Sequence, residues 1–557
     1  MPIADLHLSH RINQLAIGNW QSAIALAIAV SFALIVPSIL WGIPSNLDLT
    51  NHFRFALPFY DAIAAGDLYP GWLAESNDGY GDPSFRFYPP ALYYLLAASR
   101  FLVGNWYGAT LLVFVALSIT GGLGMYFWAK TILPSSRATW ASLFYALAPY
   151  HVNQLYQATL LAEWAGSSVL PFAFGYVERV CQRGRPRDVA GLAASYGILV
   201  FTHLPLVVIG SFGLLAYALA RIEGPDKIRK LAKLSLAAVL GLSSSAVYWV
   251  TMVSEVRWIG LNEIQRAASV DYRLNFIFST FAPDNLSVWW MNILVVMTVL
   301  LFAPALLLFF KGAASLRRVI RPAIALTALA LFMSVPLSRP IWWLLRPLQE
   351  TQFPWRWLIL ISMGGSILAA ACLPLLLDTL MKLDRTKRMI VFGAMAISIS
   401  FTLSHVVREA QYFPRQKFEN MLSEVRGTPS VNYWFPIWSR ANVREMATEI
   451  EVADRGVTVT SWQPEHRRFS VAAGQATEAR VRTFYYPHWT AKNEAGLLPT
   501  RPDKDGALLI SLPQSATSVE LDFREPRRSK FSTISSLGGL IVIGILAAPF
   551  KRRRKHD

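Results

Sequence analysis

The chain is short of cysteine and of charge, and each shortage removes a class of explanation. Its two cysteines, Cys181 and Cys372, stand far apart without metal-ligand spacing, which argues against a disulfide scaffold or a cysteine-based metal site. No P-loop, Gly-rich dinucleotide fingerprint or HExxH motif is present, so nucleotide-driven chemistry in the cytosol is disfavoured. There is no repeat periodicity and no low-complexity linker.

Only 16% of the residues are charged, against 54% hydrophobic and 13% aromatic, a balance too apolar for a soluble multidomain protein. Long apolar runs recur along most of the length. Hydrocarbon cannot satisfy backbone amides, so each crossing takes a helix of about 20 residues. The net charge of +17 is spread over short loops between apolar runs, which signals topology through cytoplasmic retention of Lys and Arg and gives no nucleic-acid footprint.

The first apolar run, Ser22 to Trp41, lacks a small-residue cleavage site and is predicted to be the first span, leaving the cytoplasm at Arg11. An outer loop, residues 43–106, follows. Within it Phe53–Ala65 and Pro89–Val103 read as interfacial helices. Single spans are predicted at Tyr107–Ile132, Thr139–Tyr150, Trp164–Val180, Val189–His203, Leu204–Ala220 and Leu231–Val253. Ser254–Val288 forms a second outer loop. Further spans cover Trp289–Phe310, Ala323–Leu337, Trp357–Leu377 and Met389–Val407, with basic ends such as Lys311 and Lys382–Arg388. The total is about twelve. Three segments result: a transmembrane module, 1–408; an outer domain, 409–530, whose alternating ARVRTFYY, ALLISL and SVELDF runs predict β-structure; and a final span with a basic tail, Lys551–Lys555, over 531–557. Both termini are then cytoplasmic.

Candidate chemistry gathers at the predicted outer ends. Asp48, in SNLDLTNHFRF, puts a carboxylate beside the first span, where it serves as a base or, equally, as a helix N-cap or solvated loop residue. Asp78 and Asp82 in NDGYGDPSFRFYPP converge on a cation or sugar, or form an ordinary Asp-Gly turn with Tyr80 as an interfacial anchor. Glu163 and His203 are ionisable groups near span ends, where burial is expensive, and so are functional candidates; His203 also reads as a neutral packing residue. Glu255 reads as a candidate or as merely interfacial, and His151 and His488 carry weaker claims. In QETQFPWRWL, Arg356 presents a fork suited to phosphate, or anchors an aromatic interface.

The position of Asp48 resembles that of the acidic residue after the first span in the GT-C superfamily of membrane glycosyltransferases. DLTNHF, YPGW, GYGDPSFRFYPP, LLAEW, THLP and QFPWRWL resemble the bacterial membrane proteins labelled 6-pyruvoyl-tetrahydropterin synthase-related, a label that does not denote pterin chemistry. FYYPHWTAKNEAG and the final span are similar to the tail of YfhO-type proteins. The resemblance implies a polytopic α-helical GT-C-like fold with a small β-rich extracytoplasmic domain before the last helix, in the bacterial inner membrane. It implies transfer of a sugar from a polyprenyl-phosphate carrier to a glycan, lipid or protein acceptor on the outer face, with inversion. Asp48 would be the catalytic base, and His52, Tyr80, Glu163, His203, Glu255, Gln352 and Arg356 would contact substrate. It also implies a divalent cation, Mg²⁺ or Mn²⁺, with Asp82 or Glu163 as ligand, although the 254–288 loop has no DxD pair, only Asp271 and Asp284. Transport of a lipid-linked saccharide and noncatalytic envelope assembly are the competing readings.

Overall fold

The computed structural model describes residues 20–260, 268–280, 286–309, 314–427, 434–440, 443 and 445–549. Arg11, Asp284, Lys311 and the basic tail from Lys551 to Lys555 lie outside the described residues.

Among the described residues six helices are long and apolar enough to cross a membrane, or eight if each of two bent pairs is one span. The sequence count of about twelve also includes shorter helices. The helix spanning Leu358–Lys382 is the centre of the bundle: 83% of its apolar window is buried, against 22% for the first and last spans. Its run of small residues, Gly364, Gly365 and Ala369 to Ala371, lets neighbours approach closely. Gly364 lies against Thr327, and Gly365 against Phe302. The same device joins Trp106–Lys130 to Leu161–Gln182, where Gly121 faces Ser168 and Gly175 faces Phe127.

Two predicted single spans are broken. Thr139–Tyr150 divides into Ser135–Ala146 and Pro149–Tyr156, because Pro149 has no amide to continue the helix and suits a new first turn. Leu231–Val253 divides at Ser245 into Lys227–Ser244 and Ala246–Glu255, bent by 73°. No proline causes this second break. The amide of Val247 is taken instead by Ser536 Oγ at 2.9 Å, from the last helix, Arg527–Ala547.

The two helices read as interfacial are Leu49–Ala64 and Ala91–Val103. They bury Phe53, Phe55 and Phe59 against Tyr93, Phe85 and Phe418. Strand β1 (Ile43–Pro44) pairs with β2 (Tyr412–Phe413), closing the loop after the first span onto the segment after Arg408.

The β-rich region holds two antiparallel sheets. The first, in the order β3-β6-β10-β9, uses Ile450–Val452, Thr477–Phe484, Ala507–Leu512 and Thr500–Pro502. The second, β4-β5-β11-β7-β8, uses Val457–Trp462, His466–Val471, Thr517–Phe523, Trp489–Asn493 and Gly496–Leu498. Alternation sets the faces. Val519, Leu521 and Phe523 of β11 point into the core, while Glu520 faces Arg468 and Lys492, and Asp522 faces His466 and Arg524.

The first outer loop completes this core. Trp72 packs edge-on against Trp489, and Tyr80 against Phe484, so both belong to the sandwich interior. Gly81 allows it: its φ is +84°, and a Cβ there would stand within 2.3 Å of the Trp72 indole.

Candidate functional site

Asp48 occupies the N-cap position of Leu49–Ala64, yet its side chain makes no capping bond. The carboxylate is half-buried and takes one long contact, 3.4 Å from Asn51 Nδ2. Two residues earlier the chain is pinned: Asn46 N donates to Thr159 Oγ1 at 3.2 Å, and its Nδ2 donates to Gln157 Oε1 at 3.1 Å. That pin sets Asp48 against the loop that leads directly into Leu161–Gln182, the helix of Glu163.

Glu163 is buried near the start of that helix. Its Oε1 accepts from Tyr150 Oη at 2.7 Å and Gln154 Nε2 at 3.0 Å, and its Oε2 accepts from Arg356 Nε at 2.7 Å. Arg356 Nη1 donates to the carbonyl of Thr351 at 2.7 Å, and its guanidinium lies 4.8 Å from the Phe353 ring centre. Gln352 provides the turn, with a left-handed φ of 65° that turns the Thr351 carbonyl and the Phe353 ring onto one guanidinium. A non-glycine residue held there is strained backbone next to a buried charge. One edge of Arg356 is therefore committed, while Nη2 has no hydrogen bond among the described residues.

His203 stands between Pro186–Thr202 and Leu204–Arg221, where Pro205 prevents one continuous helix. Its Cβ abuts Gly166, one turn along from Glu163, and its Nδ1 is buried without a hydrogen bond. The charge of Arg356 and the imidazole of His52 both act on it. His52 Nδ1 meets Tyr93 Oη at 3.0 Å, and its Nε2 is buried without a partner. Burial lowers the His52 pKa to about 4 despite the nearby Asp48 carboxylate, so the ring is neutral at physiological pH. Asp48, His52, His203, Arg356 and Glu163 thus form a continuous neighbourhood at one end of the bundle.

The other predicted site residues lie elsewhere. Tyr80 is in the sandwich core, where its carbonyl accepts from Phe484 N at 2.7 Å; an aromatic anchor found a better apolar surface in the β-domain than at a substrate. Asp82 closes a turn, accepting from Ser84 N at 2.5 Å, and burial pushes its carboxyl up to about 7. A carboxyl that resists ionisation, with Ser84 and Asn77 both hydrogen-bonded to its side chain, does not fit a divalent cation. Among the described residues no three His, Cys, Asp or Glu side chains converge as a metal site.

Glu255 is not an interfacial bystander. It is fully buried and accepts from Arg86 Nε at 2.6 Å, Tyr486 Oη at 2.8 Å, His488 Nε2 at 2.9 Å and Arg528 Nη2 at 2.8 Å. Arg86 also reaches Glu525. This second cluster joins the first outer loop, a bent span, the sandwich and the last helix, and its donors leave Glu255 no free face for substrate. Arg86 and His488 lay inside the FRFYPP and YYPHW motifs, but nothing in their spacing pairs them with Glu255.

These features define a polytopic helical membrane protein with a β-sandwich docked on one end of the bundle. The chain belongs to the family described as 6-pyruvoyl-tetrahydropterin synthase related domain, membrane protein, whose model matches residues 85–413, more than half of the sequence. No curated protein matches it. Among solved structures it is similar to the arabinofuranosyltransferase AftD from Mycobacteria, at 16% identity and a TM-score of 0.45 over 70% of this chain and 27% of that one. The chain therefore spans about a quarter of that protein. It is also similar to ArnT from Cupriavidus metallidurans bound to undecaprenyl phosphate, at 13% identity and a TM-score of 0.39, covering 73% of this chain and 74% of that one. The Archaeoglobus fulgidus oligosaccharyltransferase matches at 12% identity and a TM-score of 0.36, covering 73% and 56%.

Proposed function

We propose that this protein is a membrane glycosyltransferase that moves a sugar from a polyprenyl-phosphate carrier to an acceptor hydroxyl on the outer face of the bacterial inner membrane. The observation that carries the reading is the juxtaposition of a half-buried, nearly uncommitted carboxylate, Asp48, with a buried cation, Arg356, through the side chains of His52 and His203. A base and an oxyanion site are the two groups a displacement at a phosphate-bound anomeric carbon requires.

Asp48 takes the proton of the acceptor hydroxyl as the new glycosidic bond forms at the anomeric carbon. The bond from that carbon to the phosphate oxygen breaks, and its electron pair leaves with the phosphate. Arg356 Nη2 and His203 Nδ1 face the departing charge, while Glu163 and the Thr351 carbonyl hold the guanidinium in place. A single displacement inverts the anomeric centre. No step is assigned to a metal ion.

The test is glycan analysis of bacterial envelopes by mass spectrometry, comparing cells that lack the protein with cells complemented by wild type or by Asp48→Asn. Wild type should restore a modification that Asp48→Asn, present in the membrane at equal level, does not. Restoration by Asp48→Asn would remove Asp48 from the chemistry, and loss of lipid-linked saccharide translocation in vesicles would favour a transporter.

A further inference from the structure

The bend at Ser245 opens a groove that lies outside the site described above. Its walls are Val239, Leu242 and Trp249 from the bent pair and Phe531 and Ser535 from the last helix, and it encloses about 500 Å³. The Trp249 indole runs along it, donating from Nε1 to the Leu242 carbonyl at 2.8 Å across the bend. Ser536 and Gly539, packed against the broken backbone, fix the last helix as the second wall. The groove opens sideways. Val239 is 58% exposed and Phe531 72% exposed, so an occupant enters from the bilayer without leaving hydrocarbon.

Arg528 stands at the mouth, with one nitrogen on Glu255 and its guanidinium 5.3 Å from the Trp258 ring. Arg257 lies 5.6 Å from the same ring, and Arg257, Arg527 and Lys530 are exposed. Arg527 sits one helical turn above Phe531. Of the carboxylates near this end, Glu255 is engaged by Arg86, His488 and Arg528, and Glu525 by Arg86 and Ser529, while Glu465 and Asp67 lie on the Arg86 side of Glu525. The mouth therefore carries surplus positive charge.

Orientation does not account for it. The retention charges of the bent pair, Arg229 and Lys230, lie in the first turn of Lys227–Ser244, at the opposite end of that helix from the bend, and the Arg86–Glu255 bridge ties the groove mouth to the loop that carries Asp48. Three cations without a carboxylate partner among the described residues, Arg257, Arg527 and Lys530, stand beside a span on that side and call for a negative partner.

We infer that the groove binds one anionic phospholipid from the surrounding bilayer, its acyl chain along Leu242, Trp249 and Phe531 and its phosphate among Arg257, Arg527 and Arg528. The site is separate from the Asp48–Arg356 neighbourhood, and it stands whether or not the transferase reading does.

Native mass spectrometry of the full chain released from detergent, with dioleoylphosphatidylglycerol or dioleoylphosphatidylcholine supplied, tests it. Phosphatidylglycerol should be retained as a single adduct in preference to phosphatidylcholine. Arg257→Gln and Arg527→Gln should each lower its affinity about fivefold. Ser535→Trp, which fills the groove from an exposed position, should abolish the adduct without lowering the melting temperature, and Val239→Trp closes the groove from the opposite wall. Equal retention of both lipids, or preference unchanged in both tryptophan variants, would overturn the proposal. So would undecaprenyl phosphate displacing phosphatidylglycerol at lower concentration, since the groove would then be a carrier site.

Discussion

Arg356 Nε donates to Glu163 Oε2 at 2.7 Å, and both side chains are buried. Two charges taken out of water hold only while each keeps the other, so removing one leaves an uncompensated charge that costs roughly 3–5 kcal/mol. Glu163→Gln should therefore lower the melting temperature of the purified protein and its transfer activity together. Arg356→Lys should not rescue activity: one ammonium cannot hold Glu163, reach the Thr351 carbonyl and present a third donor as the planar guanidinium does. Thermal unfolding followed by tryptophan fluorescence, paired with a transfer assay, checks both.

Asp48 should behave in the opposite way. It is half-buried, caps nothing and takes one 3.4 Å contact, so Asp48→Asn should change stability by no more than about 0.5 kcal/mol. Loss of a general base costs roughly 10²–10⁴-fold in rate. The expected result is a variant of normal melting temperature with kcat reduced by that factor and KM for the lipid carrier nearly unchanged. A proportional fall in stability would assign Asp48 a structural role.

The positions of helices were legible because they rest on local pattern: apolar length, basic ends and Pro or Gly punctuation. The β-region was legible for the same reason, from alternation in ALLISL and SVELDF. Contacts between distant segments were not. Tyr80 lies in the core of a domain whose Arg480 is 400 residues away, so the part of the first outer loop around Trp72 and Tyr80 belongs to the sandwich interior. The break at Ser245 depends on a hydroxyl supplied by Ser536, 289 residues away from Val247. Of the site residues, Asp48, His52, Glu163, His203 and Arg356 came together because each sits at a helix end on one side of the bundle. Glu255 shares that trait, yet the cations that claim it come from other segments.

Asp82 makes the loop–sandwich junction sensitive to pH. Burial raises its carboxyl from an ordinary 3.8 to about 7, and Glu465, beside Gly71 of the same loop, is likewise raised to about 7 by burial and by the charges of Asp67 and Glu525. A folded-state pKa above the unfolded one means the contribution is fully present below about pH 4 and is lost as pH rises through about 7. For fully buried Asp82 the three-unit shift corresponds to something on the order of 4 kcal/mol. His52, held down at about 4, works the other way, and its contribution is lost as pH falls below 6.5 toward 4. Asp82→Asn should therefore gain stability relative to wild type progressively from pH 4 to 7 and level off above. Melting curves across that range measure it; parallel curves for the two proteins would refute the assignment.

Glu255 offers the sharpest separation between holding and reacting. Its carboxylate accepts from Arg86, Tyr486, His488 and Arg528, four residues contributed by the first loop, the sandwich and the last helix. An amide in its place keeps one acceptor oxygen but removes the charge that balances two buried or half-buried guanidiniums. Glu255→Gln should cost roughly 3–5 kcal/mol, whereas His488→Asn, which removes a single donor, should cost about 1 kcal/mol. Because the contacts run between bundle and sandwich, the loss should appear as undocking before the helices melt. Trp72 and the turn from Asn77 to Asp82 would then become accessible, and limited proteolysis should cut there first in Glu255→Gln while wild type stays intact. A substrate-contacting Glu255 would give the reverse pattern, with transfer impaired and the protease-resistant core unchanged.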